Sequence, residues 1–326
     1  MSAVGEIALS IVIANYNGRD LLAGCLDSIY HNPPTRPFEV FVVDDASADN
    51  SAQMVRERFP QVHLLQNERN LHYGASNNRV FGLSRGRYVY LLNNDTLMLP
   101  RALDAMIAFL DECPEAGAVG SKLLNGDGTI QASVKSLPCA TSALFGARSI
   151  ITKLFPNNQF SRDHLLHLQH DMSRPFTAGY VSSASIMIRR EVIRRVGGLD
   201  ERLSYHVDAD YCKRIWDGGW KVYYLPSAEV IHFNHQGGTL VTLKRRLKSI
   251  VEFHRGSYIY FRKHQMRSRF EPMHFLAVAG LAARFVISLT VFVAHEGRLR
   301  FLRRSGDRQS HAATPPLNRG GARPAP

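Results

Sequence analysis

An open α/β sheet with mostly parallel strands is what this sequence predicts, on three observations. Short apolar runs alternate with amphipathic stretches through roughly the first 120 residues, the pattern of strands joined by crossover helices. Four of those runs end in polar clusters of Asn, Asp and Ser, and sheets of this class gather ligands beyond the C-terminal ends of their strands. At 326 residues with 45% hydrophobic side chains, the chain can bury a full core and still carry an appendage.

Strands are expected over Ile7 to Ala14, Phe38 to Val43, Val62 to Leu65 and Tyr88 to Leu92, all rich in Val, Ile, Leu or aromatics. Arg19 to Tyr30, Asn50 to Phe59, Gly74 to Ser84 and Arg101 to Glu112 read as the intervening helices, with Pro100 suited to a helix start. After Ala118 the pattern loosens, through a Gly-rich turn at Asn125 to Thr129 and an irregular stretch to about Pro175. Strand patterns resume at Ser183 to Ile188, Trp220 to Leu225 and Glu229 to Phe233, with a helix over about Asp208 to Trp216. From Lys244 to His264, Leu247, Ile250, Val251, Tyr258 and Phe261 recur at roughly helical spacing among basic residues, which predicts an amphipathic helix.

Met273 to Ala294 is almost wholly apolar and reaches the ~20 residues that span a bilayer. Arg284 sits at its centre, where a charge costs at least a few kcal/mol. An interfacial or re-entrant helix is therefore expected ahead of a span or a soluble packing helix. The reading divides the chain into a globular part at 1–243, with halves meeting near residue 120, a helical appendage at 244–304 and a disordered tail at 305–326.

Lys and Arg total 40 against 28 Asp and Glu, a net +12. The excess is local: from Lys244 onward 17 basic residues face 4 acidic ones, a net +13, which leaves −1 for the rest. A neutral body with a basic, partly apolar tail predicts attraction to an anionic membrane surface. No Lys/Arg-rich element with interleaved aromatics occurs in the body, so nucleic acid is not expected as a partner. Cys25, Cys113, Cys139 and Cys212 lack the paired spacing of zinc sites and read as buried, reduced thiols. No charged-then-apolar leader precedes the first strand, so the expected location is cytoplasmic, at the inner face of the cell membrane.

The polar clusters carry the chemistry. Ala14-Asn15-Tyr16-Asn17 follows the first strand, Asp44-Asp45-Ala46-Ser47 the second, Asn67 to Asn70 the third and Asn93-Asn94-Asp95-Thr96 the fourth. Ser47 or Asp49 alone would be read as helix capping; four clusters in succession predict a ligand crevice. Neither G-x-G-x-x-G after the first strand nor a Walker-type loop occurs, so backbone amides alone do not hold a diphosphate. A divalent cation is the natural substitute, and Asp95 offers the hard oxygen ligand that Mg²⁺ or Mn²⁺ prefers.

The runs Ser10-Ile11-Val12-Ile13-Ala14-Asn15-Tyr16-Asn17, Val42 to Ser51 and Leu91-Leu92-Asn93-Asn94-Asp95-Thr96 resemble the nucleotide-sugar-binding half of family 2 glycosyltransferases. Thr177-Ala178-Gly179, Ile186 to Arg190, Val196 to Glu201, Val207-Asp208-Ala209-Asp210-Tyr211-Cys212 and Pro226 to His232 resemble that family's acceptor-side segment, in the expected order. The resemblance covers roughly residues 7 to 265 and is nearest to bacterial rhamnosyltransferases of cell-surface polysaccharide synthesis. It implies a GT-A-like, Rossmann-related fold in which a nucleotide-sugar half and an acceptor half share one sheet. It also implies inverting transfer of a hexose or a deoxyhexose such as rhamnose, from a UDP- or dTDP-sugar to a lipid-linked or polysaccharide acceptor. Ala14, Tyr16, Asp44, Asp45, Asn70, Asn78 and Asn94 would contact the donor, and Gly179, Gly198, Asp200 and Glu201 the acceptor. Asp95 and His232 would hold Mg²⁺ or Mn²⁺, and Asp208 would be the catalytic base.

The reaction itself asks for such parts. Displacing a nucleoside diphosphate from an anomeric carbon builds negative charge on the leaving oxygen, which a cation neutralises. The attacking hydroxyl must lose a proton on the opposite face, so one carboxylate has to stand across the pocket. Simpler roles stay open: Asp208 could cap its helix with Asp210 as base, His232 could be a core histidine with His235 in its place, and Asp200 and Glu201 could close a turn. Three positions depart from the family pattern. Asn93 stands where many members have a first acid, Val207 where an acid commonly precedes the base, and His72 where Gly is common. Those departures leave a catalytically silent, membrane-docked binder of sugar nucleotide or glycan as the alternative. A sugar-nucleotide pyrophosphorylase lacks support, because its Gly-rich, Arg-containing N-terminal loop is missing.

Overall fold

A computed structural model describes residues 6–139, 166, 170–234, 243–266, 268, 272, 274–275 and 278–293. In chain order its elements are β1 (Leu9–Asn15), α1 (Arg19–His31), β2 (Phe38–Asp44), α2 (Ser51–Arg58), β3 (His63–Gln66), α3 (His72–Phe81), β4 (Tyr88–Asn93), β5 (Thr96–Met98), α4 (Ala102–Glu112) and β6 (Ala116–Leu124). They continue as β7 (Val134–Lys135), β8 (Phe176–Thr177), β9 (Tyr180–Val181), β10 (Ser185–Arg189), α5 (Arg190–Val196), α6 (Val207–Asp217), β11 (Lys221–His232) and α7 (Leu243–His264).

One sheet runs β3-β2-β1-β4-β10-β6-β11-β5, with β8 against β11, while β7 and β9 form a separate ribbon. The strands β3, β2, β1 and β4 are parallel. β10 enters antiparallel between β4 and β6 and so joins the two halves of the chain in one sheet. Strand order reverses at β1, whose successor β2 lies on one side and β4 on the other. A crevice opens at such a reversal, between the C-terminal ends of the strands.

Both faces of the sheet are covered, which is why β1 reads as a continuous apolar run. Leu9, Ile11 and Ile13 pack with Leu22, Leu26 and Met106 from α1 and α4, whereas Val12 faces Val80, Val192 and Ile215 from α3, α5 and α6. The period of two along one strand thus feeds two separate core layers.

β6 is a central strand where the sequence pattern was expected to loosen. Gly117, Gly120 and Ser121 dilute its apolar signal, and packing demands two of them. A Cβ on Gly120 would come within 2.5 Å of Val181, and one on Gly117 within 2.6 Å of Trp220. The two strands expected either side of Pro226 are one strand, β11, whose register shifts between Leu225 and Glu229. Cys25 and Cys212 are buried as expected, but Cys113 is half-buried and Cys139 exposed, a correction to the reading of four buried thiols.

α7 forms where the amphipathic pattern placed it, and residues 278–293 are helical. Among the described residues no helix is long and apolar enough to cross a membrane. The Arg284 guanidinium lies 4.9 Å from the centre of the Phe253 ring on α7, a cation–π contact that turns the charge toward protein. His235, residues 140–165 of the irregular stretch and the tail at 305–326 lie outside the described residues.

Candidate active site

The ends of β2, β1 and β4 are laced by side chains. Asn15 Nδ2 donates to Asp44 Oδ1 at 3.2 Å, and Asn15 Oδ1 accepts from Asn94 Nδ2 at 2.7 Å. Glycine at 18 leaves room for that lacing, since a Cβ there would lie 2.3 Å from Asn94 Nδ2. Ala14 is half-buried at the end of β1, and the Tyr16 ring, 46% exposed, stands just beyond it.

Asp45 is committed to the neighbouring loop. Its carboxylate accepts from Asn67 Nδ2 and the Leu71 amide at 2.7 Å and from the His72 amide at 2.9 Å. Asn70 Oδ1 accepts from the same His72 amide at 3.0 Å. His72 is held at φ 67°, left-handed backbone that glycine adopts freely and other residues at a cost. That geometry explains why Gly is common there. Asn78 lies elsewhere, its amide bridging α3 to Leu199 and Glu201.

Asp95 and His232 meet where β5 pairs with the end of β11, with His232 Nε2 3.3 Å from Asp95 Oδ1. The proton on His232 can be placed from its neighbours. Gln131 Nε2 donates to Asn125 Oδ1 at 2.8 Å and to the His232 carbonyl at 2.6 Å, which fixes the amide's orientation. Gln131 Oε1 then faces His232 Nδ1 at 3.0 Å and must accept from it. In the neutral ring Nε2 is therefore an acceptor, 3.4 Å from Asn93 Nδ2, which can donate to it, and 3.3 Å from Asp95 Oδ1.

That arrangement fits a divalent cation. Adjacent ligands of an octahedral ion at about 2.1 Å are about 3 Å apart, and a hydrogen bond on the far nitrogen is the usual support for a metal-bound histidine. Among the described residues no group of three or more His, Cys, Asp or Glu side chains could hold a metal. As metal ligands the two would form an incomplete shell, of the kind that substrate phosphates and water fill around Mg²⁺.

Asp208 lies in the first turn of α6. The helix is entered through His206, held at φ 64°, and the N-cap position is His206 rather than Asp208. Burial pushes the Asp208 carboxyl above the usual carboxylate range, and the Lys135 charge and local backbone amides oppose the shift. Asp208 and His232 line one cavity of about 360 Å³, together with Gln131, Ser133, Lys135, Tyr180 and Ser182. All of its lining residues lie between 123 and 234, and His232 links it to Asp95 in the first half of the chain.

Asp210, the alternative base, is fully buried among basic side chains. Its carboxylate meets Arg214 at 3.0 Å and both Lys263 and His264 at 2.7 Å. Burial alone would raise its pKa, but the hydrogen bonds from His264 and Lys263 and the Arg214 charge outweigh that and lower it. A carboxylate so occupied ties α7 to the helix that carries Asp208. Ser257 reinforces the grip at 2.8 Å from His206, and Gly256 lets α7 approach closely, since a Cβ there would lie 2.7 Å from the Tyr205 carbonyl. Val207, one of the three departures from the family pattern, is buried in the core.

None of the four residues expected to bind acceptor lines the cavity, and each has contacts of its own. Asp200 pairs with Arg202 at 2.7 Å and Lys263 at 2.9 Å, and Glu201 accepts from Asn78. A Cβ on Gly179 would meet the Leu137 amide at 2.2 Å, and one on Gly198 the Asn78 side chain at 2.6 Å. Gln131, Ser133 and Lys135 line the wall that sequence reasoning left unassigned. Their alternation at a period of two is the strand-edge signal that would have found them.

Residues 10–197 match the model of a family described as glycosyl transferase family 2. The chain is 29% identical over 238 residues to the N-acetylglucosaminyl-diphospho-decaprenol L-rhamnosyltransferase of Mycobacterium tuberculosis, covering 69% of this chain and 75% of that protein. It is 28% identical over 207 residues to an O-antigen biosynthesis protein of Myxococcus xanthus, which takes in 61% of this chain but 15% of that protein. Among solved structures it is similar to a mannosyltransferase of Pyrobaculum calidifontis in complex with GDP-Man and Mn²⁺, at 17% identity and a TM-score of 0.53, covering 92% of this chain and 81% of that one. At that identity the likeness concerns the fold, which is of the GT-A type.

Proposed function

We propose a function from one premise: the chain belongs to glycosyl transferase family 2. The chain moves a deoxyhexose or hexose from a UDP- or dTDP-sugar to a hydroxyl of a lipid-linked saccharide, with inversion at the anomeric carbon. The observation that carries this reading is the shared cavity, lined by both Asp208 and His232, the latter beside Asp95. The relatives support the class of substrate: one is by name a rhamnosyltransferase acting on a diphospho-decaprenol.

In this mechanism Tyr16, Asp44 and Asn94 flank the nucleotide at the ends of β1, β2 and β4. Asp95 and His232 would hold Mg²⁺ or Mn²⁺, which would neutralise charge on the departing diphosphate. Gln131 fixes the His232 ring by accepting from its Nδ1. Asp208 accepts the proton from the acceptor hydroxyl as that oxygen attacks from the face opposite the diphosphate. Lys135 favours the ionised form of Asp208 and opposes the rise that burial causes. Incubation with a panel of UDP- and dTDP-sugars, a short polyprenyl-diphosphate saccharide and Mn²⁺ is expected to release nucleoside diphosphate. NMR of the product should show the anomeric configuration opposite to the donor's; retention, or no release with any donor, sinks the reading.

The same proposal puts the chain in the cytoplasm at the inner face of the membrane, attached through residues 244–304. Its support is the net +13 from Lys244 onward together with the exposed Phe275, Val286, Ile287, Val291 and Val293. Full-length protein is expected to sediment with vesicles containing phosphatidylglycerol, less so in high salt, and not with purely phosphatidylcholine vesicles. Replacing Val286 and Ile287 by Glu should reduce that binding several-fold, and equal binding to both vesicle types speaks against it.

A further inference from the structure

In the cavity shared by Asp208 and His232, one buried polar atom is left over. Ser133 is 8% exposed, and its Oγ has no hydrogen-bond partner among the described residues. Native structures rarely bury a hydroxyl unpaired unless a ligand or ordered water completes it. The other unpartnered buried atoms, on Asn77, Tyr224 and His254, line no part of this cavity.

The backbone around Ser133 is pinned. Its amide donates to the Gln131 carbonyl at 2.8 Å, and its own carbonyl accepts from the Ser182 amide at 3.0 Å. β7 then pairs with β9 through Val134 to Val181 and Lys135 to Tyr180. Ser133 therefore holds a fixed place between Gln131, which orients His232, and Lys135, whose charge acts on Asp208. The neutral hydroxyl suits a neutral polyhydroxylated ring, while the charged diphosphate belongs at the Asp95 and His232 end.

We propose that Ser133 is an acceptor-positioning residue, whose hydroxyl hydrogen-bonds a hydroxyl or acetamido oxygen on the acceptor sugar, beside the hydroxyl that Asp208 deprotonates. The assignment rests on the transferase reading above. The cavity, at about 360 Å³, falls in the lower part of the range that ligand clefts occupy, about 300–1,000 Å³, which suits a short saccharide.

The test uses full-length enzyme, Mn²⁺, the donor and a polyprenyl-diphosphate saccharide acceptor. Ser133→Ala should raise the acceptor KM about three- to tenfold, the effect of one neutral hydrogen bond, with the donor KM unchanged and Ser133→Thr restoring affinity. Because the hydroxyl has no partner among the described residues, Ser133→Ala without acceptor should melt at or above the wild-type temperature. An acceptor KM within twofold of wild type means that water alone completes the hydroxyl, and overturns the assignment. A donor KM that rises in place of the acceptor KM moves Ser133 to the transferred sugar and overturns it equally. Wild-type enzyme that binds donor but transfers to no saccharide overturns the transferase reading itself, a failure visible before any variant is made.

Discussion

Asp208→Asn is expected to lower kcat by about 10²- to 10⁴-fold, the range a positioned general base contributes, while leaving the donor KM where it was. The asparagine keeps the side chain's shape and removes only its ability to take a proton. The neighbouring acid should behave differently. Asp210→Asn leaves Arg214, Lys263 and His264 without their shared anion, and breaking a buried pair of this kind costs about 3–5 kcal/mol. That loss reads as a lower melting temperature rather than as a lost base. Since the folded pKa of Asp210 is depressed, its stabilising effect is present above the ordinary carboxylate pKa and is lost as pH falls through the folded value. For Asp208 the sign is opposite. Its carboxyl is raised, so catalysis should fail on acidification at a pH above the ordinary carboxylate range, and Lys135→Met should move that limb higher still. Unchanged turnover in Asp208→Asn, or a limb that stays put or moves down in Lys135→Met, would remove Asp208 from the mechanism.

Chelation by EDTA is expected to abolish transfer and added Mn²⁺ to restore it, with Asp95→Asn insensitive to the restoration. A readout independent of turnover comes from titrating Mn²⁺ by electron paramagnetic resonance in the presence of nucleoside diphosphate. Gln131→Leu removes the acceptor that sets the His232 tautomer, and loss of such a support typically weakens metal affinity by about 10–100-fold. Full activity in chelated enzyme, or equal Mn²⁺ affinity in wild type, Asp95→Asn and Gln131→Leu, would contradict the cation role given to this pair.

Much of the nucleotide half was legible because its signals are local. β1 to β4 are apolar runs ended by polar residues, and the expected bounds differ from the observed ones by one or two residues. The departure at His72 was visible in the sequence, and the left-handed backbone there supplies its reason. β6 was hidden because its glycines answer to Val181 and Trp220, partners far away in the chain. The contacts of the acceptor-side residues were hidden for a related cause. Asp200, Glu201, Gly179 and Gly198 stand out in the sequence, yet their side chains or missing side chains serve contacts with Lys263, Asn78 and Leu137.

By itself, then, the sequence determined the α/β architecture, the strand ends that form the crevice and the chemical types gathered there, because periodicity and turn chemistry are written in neighbouring residues. Only the tertiary structure decided which acid faces the cavity. Asp208 and Asp210 are two residues apart on one helix turn and indistinguishable by pattern, but α7 arrives from more than fifty residues away to neutralise Asp210 with Lys263 and His264. The same long-range packing set Ser133 and Lys135 against Asp208. Charge compensation and burial depend on what comes from elsewhere in the chain, and no local stretch of sequence carries that information.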